Sequence, residues 1–200
     1  MARILRQPIE GPAVSIVIPA YRATGYIASA IDSALAQTFA DYEIIVVNDG
    51  CPDTVRLEQI LKPYLGKLVY IKQNNTGPAG ARNSGVRAAR GRLIAFLDAD
   101  DYWAPNYLIE QLRFLETNPQ AHMVYTDALL IGDSPLAGRT FMELTPSNGV
   151  ADFENLLTGR CTVILSGTVV HRQRLLDIGL FDERLRRAED YDLWLRLARA

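Results

Sequence analysis

Through its first hundred positions the chain alternates two hydrophobic rhythms. Short apolar runs cover Val14 to Ile18, Glu43 to Val47, Leu68 to Ile71 and Leu93 to Leu97. Their length and character predict strands buried on both faces. Between them, apolar residues recur at three- and four-residue steps. Ile27, Ala30, Ile31, Ala34 and Leu35 form one stripe within Thr24 to Gln37. Val55, Leu57, Ile60, Leu61 and Leu65 form another within Asp53 to Leu65. Such spacing predicts amphipathic helices. A third helix is expected from Ala79 to Ala89, with Gly91 as its stop, and Pro19 should end the first strand. Strand and helix therefore alternate over four strands. The expected fold is α/β, a Rossmann-like, mostly parallel sheet with right-handed crossovers and helices on both faces.

The rhythm changes after Pro105. Asn106 to Asn118 reads as a helix, Met123 to Tyr125 and Leu129 to Ile131 as strands. Gly132 to Gly149 is rich in Gly, Pro and Ser and is expected to be a loop that orders on binding. Thr162 to Val170 is β-prone, Gln173 to Ile178 is a short helix, and Glu189 to Ala200 is a helix packed through Leu193, Trp194, Leu197 and Ala198. The chain stops inside that helix without a cap, which reads as a truncation. The organisation expected is a flexible segment over residues 1–12 and one domain over 13–200. Residues 12–104 would bind a nucleotide and 105–200 an acceptor.

Composition narrows the function classes. With 48% hydrophobic residues in 200, a sizeable core is expected. A formal net charge of -2 argues against a nucleic-acid partner. No apolar run approaches the ~18 residues of a membrane span, and no apolar stretch follows Arg3 and Arg6 as in a secretory signal. Cys51 and Cys161 are too few for a disulfide framework or a zinc site, so two free thiols in a reducing cytoplasm are expected.

Every predicted strand of the first half ends in polar or turn residues, and in a parallel sheet those ends share one edge, where ligands collect. The fourth strand runs into Asp98, Asp100 and Asp101. Carboxylates at alternate positions can converge on a hard cation, Mg2+ or Mn2+, or can cap a helix near Tyr102. Asp49 ends the second strand and can accept hydrogen bonds from a base or ribose, or cap the next helix. Gly77 opens a Gly-rich stretch entering a helix, a natural anion site. Arg82 within it can pair with a diphosphate or remain a solvated helix charge. Glu189, Asp190 and Asp192 start the last helix, where they suit its dipole or supply a general base. The Arg184, Arg186, Arg187 cluster is either a solvated face or an attractor of an anionic acceptor.

Taken together, these motifs resemble the family-2 glycosyltransferases of the GT-A fold, from Val14 to the end of the chain. The carrying stretches are Val14 to Tyr21 (VSIVIPAY), Ala34 to Phe39 (ALAQTF), Asn48-Asp49-Gly50, Gly77 to Asn83, Asp98-Ala99-Asp100 and Glu189-Asp190. The resemblance implies sugar transfer from a nucleoside diphosphate sugar, UDP-linked by first expectation, to a hydroxyl of a saccharide, lipid-linked or other acceptor, with inversion. It implies Pro19, Ala20, Tyr21, Asp49, Gly77, Arg82, Asp98 and Ala99 at the nucleotide sugar. Asp100, with Asp98, would bind Mn2+ or Mg2+, and Asp190 would be the catalytic base. A cytoplasmic location, at the inner face of the membrane for a lipid-linked acceptor, follows from the same likeness. The family's Asp-Asp-Gly-Ser is here Asn48-Asp49-Gly50-Cys51, which bears on the preferred base. The rival readings are a non-catalytic nucleotide-sugar-binding domain and a sugar nucleotidyltransferase. The second would need a Gly-rich basic loop where Pro19-Ala20-Tyr21-Arg22 stands.

Overall fold

The computed structural model describes residues 11–145 and 147–200, so the flexible segment expected over 1–12 lies almost wholly outside them. Six strands form one sheet: β1 (Val14–Ala20), β2 (Tyr42–Asp49), β3 (Val69–Gln73), β4 (Leu93–Phe96), β5 (Met123–Tyr125) and β6 (Thr168–His171). Their order is β3-β2-β1-β4-β6-β5. The first four are parallel, and β6 runs antiparallel to both β4 and β5. The chain builds outward from β1 to β3, then returns to place β4 on the other side of β1. The topological switch point thus lies between the C-terminal ends of β1 and β4, where open α/β sheets bind ligands.

Alternation along the buried strands sends side chains to two cores. Ile16, Ile18, Ile44, Val46, Ala95 and Leu97 face α1 (Ile27–Leu35), α2 (Thr54–Leu61) and α4 (Tyr107–Thr117). Val17, Ile45, Val47, Ile94 and Phe96 face α3 (Gly77–Ala88). The remaining helices belong to the second half: α5 (Phe141–Leu144), α6 (Phe153–Leu157), α7 (Arg172–Asp177) and α8 (Glu189–Arg199). No helix among the described residues is long and apolar enough to cross a membrane. Cys51 and Cys161 are buried and unpaired.

Several expected boundaries shift for physical reasons. β1 continues through Pro19, which is in register with Val47. Val17 and Ala13 carbonyls bond toward β4, so Pro19 faces that side too. The β4 ladder has already ended at Val17–Phe96, so the missing N–H costs no ladder bond. Pro63 tightens the end of α2 into a 3-10 turn, Lys62–Tyr64. Gly91 is no helix stop of the left-handed kind. A Cβ there would lie 2.6 Å from the Ser15 nitrogen, so it is a close-approach position against β1.

In the second half, Leu129 to Ile131 is not a strand. A single bridge joins Leu129 to Thr140, and Leu129 and Ile131 are exposed, with no sheet face to bury them. Of the β-prone run only Thr168 to Val170 pairs, in a strand that His171 completes, after a 3-10 turn at Leu165–Gly167. The expected loop contains α5, capped by Thr140. Helix α6 was unanticipated, although Asp152, whose carboxylate accepts from the Asn155 N–H, is an N-cap signal visible in the sequence.

One half-buried carboxylate ties three parts of this half-sheet together. Glu43 accepts from the Ser15 hydroxyl at 2.7 Å, the Arg90 N–H at 2.7 Å and the Arg90 guanidinium at 2.9 Å. Burial pushes its pKa up, but these hydrogen bonds and the Arg90 charge outweigh burial and hold it below the usual 4.5. A depressed folded-state pKa stabilises the fold above the ordinary value, and that stability is lost as pH falls through the folded one. Glu43→Gln is therefore expected to cost about 1–2 kcal/mol at pH 7. The gap from wild type should narrow as the pH falls below the ordinary 4.5, as read by thermal melts across that range.

Candidate active site

A cavity of about 520 Å3 opens at the switch point. Its floor is the end of β1, its back the ends of β2 and β4, and its rim the start of α3. Pro19, Ala20, Tyr21, Asp49, Gly77, Asp98, Ala99 and Asp100 line it. Eight of the ten residues singled out from the sequence thus meet in one crevice. A larger cavity of about 860 Å3 lies between α4, β5 and the C-terminal part of α8, walled largely by Phe114, Met123, Val124 and Trp194. It holds none of the acids named from the sequence, so chemistry rather than size selects the smaller one.

Tyr21 is 45% exposed, with the Arg22 guanidinium 5.4 Å from its ring centre. Arg22 adopts a left-handed backbone (φ 53), a strained state often found at functional sites. Asp49 is only 2% exposed, and both oxygens of its carboxylate accept hydrogen bonds from the protein. Oδ1 accepts from Gln73 Nε2 at 2.8 Å, Thr76 N at 2.9 Å and Thr76 Oγ1 at 3.1 Å, and Oδ2 accepts from Gly77 N at 2.9 Å. Asp49 therefore fixes the turn from β3 into α3. Gly77 sits there at φ +83, a conformation that favours glycine.

The D-x-D stretch is closed by the Asp101 N–H donating to the Asp98 carbonyl at 3.1 Å, and is pinned by the Asp98 N–H donating to Ser166 Oγ at 3.0 Å. Asp98 Oδ1 accepts from Arg82 at 2.8 Å, and Asp100 is exposed to the cavity. Desolvation raises the Asp101 pKa first; a Ser166 hydrogen bond opposes it, and the Asp98 and Asp100 charges add to the rise. Among the described residues no three His, Cys, Asp or Glu side chains gather as a metal cage. Asp98 and Asp100 would offer a cation two hard carboxylates and leave its other positions to oxygens of a bound ligand, which suits Mg2+ or Mn2+.

Arg82 departs from expectation. It does not line the cavity, is 6% exposed and gives both arms of its guanidinium to protein carboxylates, Asp98 and Glu189. The cations that do reach the cavity are Arg22 and Arg186. Arg186 Nη1 lies 3.6 Å from where a Cβ on Gly77 would stand. Arg22, Tyr26 and Asn75 also line the cavity and were not anticipated. Arg186 was visible only as one of three neighbouring arginines, and nothing in the spacing marked which would turn inward. Asp190 is half-buried in the first turn of α8, its Oδ1 accepting from the Tyr191 N–H at 2.8 Å. It follows Glu189 and so stands beside the Arg82 bridge.

The sequence model of glycosyl transferase family 2 matches residues 15–134. The chain belongs to glycosyl transferase family 2. It is 34% identical over 203 residues to an uncharacterized glycosyltransferase of Rickettsia prowazekii, covering 98% of this chain and 61% of that one. It is also 34% identical over 185 residues to the UDP-Glc:alpha-D-GlcNAc-diphosphoundecaprenol beta-1,3-glucosyltransferase of Escherichia coli, covering 92% of this chain and 69% of the relative. Two other Rickettsia relatives are spanned over only 28% and 32% of their length. The fold matches that of Staphylococcus aureus TarS in complex with UDP-GlcNAc, at TM-score 0.71 and 23% identity, over 92% of this chain and 53% of TarS. The expected GT-A fold is the one found.

Proposed function

We propose that this family member transfers a sugar from a nucleoside diphosphate sugar, a UDP-sugar by first choice, to an acceptor hydroxyl with inversion at the anomeric carbon. The observation that carries the reading is that one guanidinium joins the D-x-D at the end of β4 to the Glu-Asp at the start of α8, residues far apart in sequence. The Glu-Asp that would supply the base is thereby tied to the D-x-D through Arg82, although Asp190 itself stands outside the donor cavity.

In this reading Tyr21 flanks the base, and Asp49 shapes the base pocket through Thr76 and Gly77. Arg186 and Arg22 face the diphosphate. Asp98 and Asp100 would hold Mn2+ or Mg2+, which when bound neutralises charge on the leaving diphosphate. Asp190 takes the proton of the acceptor hydroxyl. The acceptor oxygen bonds to the anomeric carbon on the face opposite the diphosphate, and the bond from that carbon to the diphosphate oxygen breaks. The acceptor class is a saccharide or a lipid-linked diphosphate sugar. The Escherichia coli relative is named for an acceptor of the latter kind. Exposed Arg187, outside the cavity, suits an anionic acceptor, whereas Arg184 already pairs with Asp182 at 2.7 Å. A lipid-linked acceptor would place the reaction at a membrane face.

The test is a screen of UDP-, GDP- and TDP-sugars for slow donor hydrolysis with Mn2+. Hydrolysis is expected with a UDP-sugar and should vanish with EDTA. Failure of every nucleotide sugar to bind in calorimetry would overturn the proposal. Binding without any hydrolysis or transfer would favour a non-catalytic binding domain.

A further inference from the structure

The segment from Leu180 to the start of α8 is fastened to α3 at both ends by adjacent residues. At one end Asn83 Nδ2 donates to the Phe181 carbonyl at 2.9 Å, and the Phe181 N–H donates to Asn83 Oδ1 at 3.0 Å. At the other, Arg82 Nη1 donates to Glu189 Oε1 at 2.8 Å. The second arm of the same guanidinium, Nη2, donates to Asp98 Oδ1 at 2.8 Å. The guanidinium carbon lies 5.7 Å from the Phe181 ring centre, and Phe181 packs edge-on against Phe96 at 5.4 Å. Just before Glu189, Ala188 is held at φ 55, a left-handed state that costs an alanine free energy and persists only where surroundings impose it.

Burying a guanidinium is costly unless its charge and its donors are matched. Two carboxylates match its charge here, each reached by a different arm, while the buried Nε has no hydrogen-bond partner among the described residues. The arms belong to one planar, rigid group, so the gap between the end of β4 and the start of α8 is set by the width of that plane. A lysine could reach one carboxylate at a time but could not span both with fixed geometry.

We infer that Arg82 is a positioning residue rather than a donor ligand: it sets the base-bearing start of α8 against the D-x-D strand. This rests on the function proposed above. It makes the placement of Asp190 depend on Asp98, so the donor side and the base side share one cation. Misplacement of a reacting group by about 1 Å costs on the order of 10²-fold in rate, whereas nucleotide contacts made by other residues survive.

The test compares Arg82→Met, Arg82→Lys, Glu189→Gln and the Arg82→Met/Glu189→Gln double variant. UDP affinity is measured by calorimetry, transfer by kcat and KM, and hydrogen exchange over residues 182–190 without substrate. Arg82→Met is expected to lower kcat by about 30–100-fold, with UDP affinity and donor KM within about threefold. Arg82→Lys should recover part of that loss. Glu189→Gln should add little in the Arg82→Met background, since coupled residues are non-additive, and exchange over 182–190 should quicken in Arg82→Met. A tenfold loss of UDP affinity at unchanged kcat would make Arg82 a donor ligand and overturn the inference, as would additive effects or unaltered exchange. If neither Arg82 variant folds, Glu189→Gln decides by itself: a lowered kcat at unchanged UDP affinity supports the bridge, and an unchanged kcat refutes it. The exchange measurement needs no sugar, so it separates failure of this inference from failure of the proposed reaction.

Discussion

Replacing Asp190 with Asn is expected to leave UDP binding within about threefold and to lower transfer by roughly 10²–10⁴-fold, the contribution of a positioned general base. The substitution keeps the size of the side chain and the acceptor oxygen that meets the Tyr191 N–H. It removes only the basicity. Asp190 does not line the donor cavity, so nothing in nucleotide binding should depend on its charge. The measurement is calorimetry with UDP alongside transfer or donor hydrolysis. Full activity in Asp190→Asn would remove Asp190 as the base. Loss of UDP binding in step with activity would mean that the substitution disturbs the donor site instead.

The second large effect concerns the cation. Chelation by EDTA, or Asp100→Asn, is expected to weaken UDP binding by at least about tenfold, ~1.4 kcal/mol. Clustered carboxylates without a cation repel one another and the incoming diphosphate. Asp101→Asn should leave UDP affinity near wild type, because Asp101 points its interactions at Ser166 and has a raised pKa from desolvation. The comparison between neighbouring aspartates guards against a general change in local charge. Equal UDP affinity with and without EDTA would sink the metal assignment.

The first half was legible because its strands are buried on both faces, so each is a nearly unbroken apolar run closed by a polar turn. Asp98, Asp100, Asp49 and Tyr21 could be placed at one edge by topology alone, since parallel strands end together. What pairs with what was beyond such reasoning. Arg82 lies in a Gly-rich stretch that suits an anion, and only its tertiary partners, 16 and 107 residues away, show that protein carboxylates already fill that role. Asp49 lines the cavity as its strand end suggested, but its hydrogen bonds to Gln73, Thr76 and Gly77 could not be read from its position in the chain. The second half was harder. Its strands are three and four residues long, too short for a period to show, and exposed Leu129 and Ile131 imitate a strand without a sheet to join.

The antiparallel entry of β6 has a consequence for how such a protein can change its substrate. The chain leaves the sheet at Tyr125 and returns at Thr168, and these two residues are register partners, with the Thr126 N–H donating to the Gly167 carbonyl at 3.0 Å just beyond them. Everything between is an excursion that departs and lands at the same point. Lengthening such a closed excursion costs only about 0.6 kcal/mol per doubling of its length. The carboxylates after β4 meet this excursion at its returning end, where Ser166 Oγ accepts from the Asp98 N–H. New surface can accordingly be grafted, shortened or exchanged there at small thermodynamic expense, while the cavity floor at the ends of β1 and β4 stays as it is. The fold separates what must be kept from what can be varied by a single latch of two paired residues.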